Sequence, residues 1–294
     1  MSLARELMTH ILVAAMLIDM LIGAGRGVRY RDRFVQQLAT EPRQRIRFYR
    51  VLIVRSWIGA AAVALLAFIS TDLSRAGLGW TWPNGDGIDY LLAGWLLVTM
   101  AVGALRLRHR MRRGHVVPGR AGTTPIVPRT AHERRWAVGV ALTAGITEEV
   151  VYRGLLIAVG TQLYGLPLAV AAAAGLALFV AAHTYQGRLG MVGSAILGGL
   201  FTAVYLISGS LLLAILLHVC QDLLALLLIP AHPSAPQTTN DAVAVPAAEG
   251  AHQGEPAAPA PQSHPRVMAA RIRPPHPTAP PREGSVSRLR WPGA

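Results

Sequence analysis

The chain has no lysine. All 28 of its basic residues are arginine, which points to codon usage in a GC-rich bacterial genome and not to chemistry. It has one cysteine, Cys220, and no CxxC pair, which excludes an internal disulfide and a cysteine-rich metal site. No repeat of solenoid length runs through it, and it contains no HExxH zinc-protease motif. Acids are scarce, 15 against the 28 arginines, and the formal net charge is +13. A chain this basic suggests nucleic acid, but the arginines do not gather on one compact domain. They stand between hydrophobic runs, as topology signals do, so nucleic acid is not the expected partner.

What the chain has in abundance is apolar residues, 52% of the total, gathered in long runs. The expected class is an all-α polytopic membrane helix bundle of about seven transmembrane helices, with the lipid bilayer as its first partner. Three spans near 7–25, 51–70 and 88–105 form an N-terminal region, 1–106. Between the first two lies a basic stretch, 26–50, in which Arg43, Arg45, Arg47 and Arg50 interleave with Ile46, Phe48 and Tyr49. A cytoplasmic loop is its simplest reading, and an amphipathic surface helix the other. Asp19, deep in the first span, is expected to pair with a neighbouring helix. A basic linker, 107–135, separates this region from a core at 136–229, with spans at 136–159, 166–186, 190–208 and 210–229. From 230 to 294 the chain turns proline-rich, with 13 of its 20 prolines beyond residue 230, and is expected to be a disordered tail. An external N-terminus and a cytoplasmic C-terminus place every arginine cluster on one side of a cell membrane.

Few ionisable groups enter these spans. Of the 15 acids, only Asp19, Glu148, Glu149 and Asp222 lie well inside them, joined by His183 and His218. A charged residue in a membrane helix costs about 2.5 to 3.5 kcal/mol on insertion scales, so a cluster of them needs a reason. Glu149 and Arg153 stand at i,i+4 and can neutralise one another. Glu148 is turned about 100° away and stays free of that pair. Phe179 and His183 share a helix face. His218 and Asp222 share another, where the carboxylate can orient the ring.

In order, the motifs are EExxxR at 148–153, FxxxH at 179–183 and HxxxD at 218–222. This set resembles the CPBP family of intramembrane proteases, which includes type II CAAX prenyl endopeptidases and bacterial proteins linked to bacteriocin processing and self-immunity. The resemblance covers the core alone. It implies an endopeptidase, a hydrolase acting on a membrane-associated protein or peptide. By carry-over, Glu148 activates water with the help of His183. His218 and Asp222 hold the developing oxyanion, and Glu149, Arg153 and Phe179 support the site. Many members have Asn where this chain has Asp222, and an ionised Asp accepts hydrogen bonds only. That departure keeps a zinc reading open, with Glu148, His183, His218 and Asp222 as ligands, although no obligatory metal is the preferred expectation. The alternative function is a catalytically silent scaffold or self-immunity protein with the same fold. A transporter would show related halves with broken helices, and none are visible.

Depth imposes a condition. At about 1.5 Å per residue, Glu148 lies roughly 18 Å along the helix from Trp136, whereas His183 falls near the end of its span. The two meet only if the first core helix starts before Trp136 or the second runs past Gln186.

Overall fold

The computed structural model describes residues 2–74, 76–83, 87–115 and 124–229. All of them lie in the first of two units, Met1–Gln237. The tail expected at 230–294 falls outside the described residues.

All regular structure among the described residues is helical. Helix α1 is Ser2–Thr40, α2 is Pro42–Ile69, α3 is Ile88–Arg112 and α4 is Ala131–Glu149. Helix α4 runs on through a π-helix, Val150–Leu155, an α-helical turn, Leu156–Ala158, and a second π-helix, Val159–Leu163. Helix α5 is Leu168–Ala182, α6 is Gly187–Ser208 and α7 is Leu211–Leu223, the last extended by a π-helix, Leu224–Leu228. These runs match the expected all-α membrane bundle. Five are long and apolar enough to cross a membrane: Leu3–Arg29, Arg43–Ile69, Ile88–Arg112, Thr184–Ser208 and Leu211–Leu228. The other two differ from ordinary spans for separate reasons. Helix α5 has only 15 residues, about 22 Å against a hydrocarbon thickness of about 30 Å. Helix α4 and its continuation carry Glu133, Arg134, Arg135, Glu148, Glu149 and Arg153.

The stretch 26–50 is not a loop. Helix α1 continues to Thr40 and α2 begins at Pro42. No glycine or proline interrupts 28–41, and Leu, Gln, Arg and Ala are good helix formers. Pro42 then ends α1 and fits the first turn of α2, where its missing N–H is not needed.

Contacts define the two ends of the bundle. At one, Thr81 donates to the Gly209 carbonyl, Ser210 to the Thr81 carbonyl, and His10 meets the Tyr164 hydroxyl at 3.1 Å. At the other, the start of α2 meets the start of α4 through Arg45 and Glu133, and Arg134 donates to the Leu227 carbonyl. The arginine-bearing ends of α2, α3 and α4 therefore gather around the end of the α7 extension, where Arg108 and Arg112 of α3 line one pocket with Arg134, Leu227 and Leu228. On the exposed face of α1 and α2, Asp19 pairs with Arg55 of the neighbouring helix at 3.1 Å, as expected of it. Large apolar side chains such as Phe68, Leu91 and Trp95 face outward, as lipid-facing residues do.

Two close approaches set the core. Gly145 of α4 lies against α7, where an added Cβ would stand 2.8 Å from the Val219 backbone nitrogen. Gly198 of α6 lies against the Phe179 ring, 2.9 Å from where its Cβ would be. Only glycine lets these helices come so near.

Candidate functional site

Helix α4 starts at Ala131, five residues before Trp136, so the first of the two conditions on depth is the one observed. Its N-terminus is fixed by a capping box. Thr130 accepts from the Glu133 N–H, and Glu133 reaches back to the Thr130 N–H. Helix α5 does not run past Gln186. It ends at Ala182, His183 caps it, and the chain turns through Thr184–Gln186 into α6. The short α5 leaves His183 inside the bundle, where it meets Glu148.

The adjacent acids divide as helical phase predicts. Glu149 is wholly buried and accepts from Arg153 Nη1 at 2.7 Å. Arg153 also donates to the Gly198 carbonyl at 2.9 Å and the Thr202 hydroxyl at 3.2 Å, and its guanidinium lies 4.5 Å from the Phe179 ring centroid. Glu148 points away from this pair. Its Oε2 stands 3.9 Å from Nε2 of His183 and 3.9 Å from Nε2 of His218. That oxygen is buried and takes no hydrogen bond from a protein group. The π-helix Val150–Leu155 begins just after the pair of acids, with Arg153 inside it. Such wide turns occur often at functional sites.

The histidines are held from opposite sides. Nδ1 of His183 lies 2.8 Å from the Phe179 carbonyl. A carbonyl only accepts, so Nδ1 carries the proton, and in the neutral ring Nε2 is left as an acceptor facing Glu148. Nδ1 of His218 lies 2.7 Å from Glu149 Oε1. This corrects the expectation that Asp222 orients His218. Asp222 Oδ2 is 3.9 Å from His218 Nε2, beyond hydrogen-bond reach. The reason is tertiary. The contact at Gly145 draws α4 and α7 together, so a carboxylate 69 residues away bonds the ring at Nδ1, while Asp222 on the same helix stands off the other nitrogen, Nε2.

Glu148, Phe179, His183, His218 and Asp222 all line one cavity of about 260 Å³. Its walls also include residues with no place in the three motifs. Phe48, Tyr49 and Leu52 come from α2, and Ile126 and Val127 precede α4. Tyr185 and Phe201 close another side, with the Phe201 and His218 rings 5.2 Å apart. The only local hint of the α2 wall is the aromatic pair Phe48-Tyr49 among arginines.

The donor set is chemically suited to zinc, but its placement is not. Among the described residues, no three His, Cys, Asp or Glu side chains stand close enough to hold a metal ion. The 3.9 Å separations exceed the roughly 3.3 Å between ligands of a tetrahedral zinc with bonds of about 2.0 Å.

Residues 131–224 match the model of a family described as "Type II CAAX prenyl endopeptidase Rce1-like". The match takes in Glu148, His183, His218 and Asp222 and leaves α1, α2 and α3 outside. No curated protein and no solved structure matches the chain.

Proposed function

For a membrane protein whose residues 131–224 match the model of the Rce1-like type II CAAX prenyl endopeptidases, we propose intramembrane endopeptidase activity, with Glu148 as the general base. The observation that carries this reading is the buried Oε2 of Glu148, without a hydrogen-bond partner and 3.9 Å from Nε2 of both histidines. All three line the same cavity of about 260 Å³, which has room for a water beside them. One of its protons goes to Glu148 and the other is hydrogen-bonded by the His183 Nε2 lone pair. The oxygen then attacks the peptide carbonyl carbon. The carbonyl oxygen becomes an oxyanion, and His218, doubly protonated, donates to it through Nε2–H while Nδ1–H stays on Glu149. A donor aimed at developing charge is worth most where water is excluded. Glu148 returns its proton to the leaving amine as the C–N bond breaks, which restores the carboxylate.

Each neighbour has its part. Glu149 fixes the orientation of His218, Arg153 compensates the Glu149 charge, and Phe179 holds both the Arg153 guanidinium and the His183 ring. No step in this reading passes through a metal. The largely apolar walls of the cavity suit a membrane-associated protein or peptide substrate.

The test uses the full chain in lipid nanodiscs, with and without Glu148→Ala, against a library of membrane-embedded peptides. Cleavage by the unaltered chain and none by Glu148→Ala is the expected result. Equal cleavage by both, or none by either with folding intact, sinks the proposal and leaves a catalytically silent scaffold or self-immunity protein.

A further inference from the structure

A second pocket lies at the arginine-rich end of the bundle, apart from the cavity around Glu148. Its volume is about 180 Å³, and its lining is Arg108, Arg112, Arg134, Leu227 and Leu228. Arg108 and Arg112 stand one turn apart on α3, so their like charges face the same space. Arg134 comes from the first turns of α4 and is held there by donating to the Leu227 carbonyl at 3.0 Å. No carboxylate lines the pocket, and among the described residues none of the three arginines forms an ion pair. Three arginines line one pocket without a carboxylate among them, and a bound anion would relieve the repulsion of their charges.

The surroundings say what kind of anion. The face of α3 leading to Arg108 and Arg112 is an exposed apolar stripe, Leu91, Trp95, Val98, Val102 and Leu105, at spacings of three and four residues. Leu227 and Leu228 form the other wall. A charged pocket at the end of a lipid-facing stripe is where a lipid headgroup lies when its acyl chains run along the helix. Guanidinium pairs with phosphate oxygens in a fixed, two-pronged geometry.

We infer that Arg108, Arg112 and Arg134 form a binding site for a phosphate-bearing anion, which an anionic phospholipid headgroup or free phosphate can supply. The site does not depend on the catalytic reading. It does touch the catalytic cavity indirectly: Arg134 holds Leu227, and the adjacent Leu226 lines that cavity.

The experiment titrates delipidated, detergent-solubilised full-length protein with phosphatidylglycerol and with phosphatidylcholine, counting bound lipid by native mass spectrometry. Phosphatidylglycerol is expected to bind more tightly than phosphatidylcholine. The triple variant Arg108→Gln, Arg112→Gln, Arg134→Gln loses that affinity on the order of a hundredfold, about fivefold per arginine. A control, Arg106→Gln, Arg110→Gln, Arg113→Gln, removes the same charge from the same helix end outside the pocket and keeps it. Displacement by inorganic phosphate assigns the site to the free anion as well; persistence of the lipid assigns it to the headgroup. Equal loss in both triple variants overturns the inference in favour of a diffuse basic surface. Failure of both phosphatidylglycerol and phosphate to bind also overturns it. If the triple variant does not fold, the double variant Arg108→Gln, Arg112→Gln carries the same test with Arg134 left in place.

Discussion

Two buried arginine–glutamate pairs lie in this bundle, and they are built differently. At the arginine-rich end, Arg45 and Glu133 are both about fully buried and 3.1 Å apart. Arg45 also donates to the carbonyls of Leu38 and Pro125, and Glu133 accepts from the N–H groups of Arg129 and Thr130. Both Glu133 oxygens are occupied. Arg153 is as well satisfied as Arg45, but Glu149 has a second oxygen without a partner, and so has Glu148 beside it. A fully bonded ion pair holds helices in register. A pair with buried acceptors to spare carries an unmet desolvation penalty, as sites of chemistry do. The first pair joins α2 to the start of α4, and the second orients His218.

The sharpest test of this contrast is within the acidic doublet. Glu148→Gln should lower the cleavage rate by about 10²- to 10⁴-fold, the range of a lost general base, with little change in melting temperature. Initial rates on a membrane peptide, beside thermal melts, measure both. A loss of fold without a specific loss of rate would make Glu148 structural. Glu149→Gln should act the other way round on stability. It leaves the Arg153 charge buried and unpaired, a loss of about 3 to 5 kcal/mol, visible in chemical unfolding. Arg45→Met should give a similar loss of about 3 to 5 kcal/mol, by stranding Glu133, while the rate per folded molecule stays near that of the unaltered chain. A rate that falls as far as in Glu148→Gln would erase the distinction between the two pairs. Thr130→Ala, which removes half of the capping box, should cost only about 1 kcal/mol. The smallest effect is expected from a chelator: cleavage should stay within about twofold, since a needed metal would instead couple its removal to loss of activity.

Particular residues mark how far the sequence could be followed. The Glu149–Arg153 pair and the divergence of Glu148 from it follow from helical phase alone, because both are properties of one helix. The Thr130–Glu133 capping box is likewise local. Of the two readings open for 26–50, loop and amphipathic helix, the helical one holds, because helix propensity is adequate there and no breaker occurs between Gly27 and Pro42. The partner of His218 is beyond the reach of local spacing. Spacing along α7 offers only Asp222, while the bonded carboxylate arrives from α4. Arg45 and Glu133 are separated by 88 residues, and nothing in either neighbourhood points to the other.

By itself, then, the sequence determined what one helix can settle within its own turns. Apolar runs demanded helices, arginine clusters demanded a common end, and i,i+4 spacing paired Glu149 with Arg153. The tertiary structure decided what depends on distance between helices. It shortened α5 so that His183 reaches Glu148, brought α7 against Gly145 so that Glu149 holds His218, and laid Phe48 and Tyr49 of α2 along the cavity. Hydrogen bonds and ion pairs act over about 3 Å. Which groups come that close is set by how the helices pack, and packing is a property of the whole bundle.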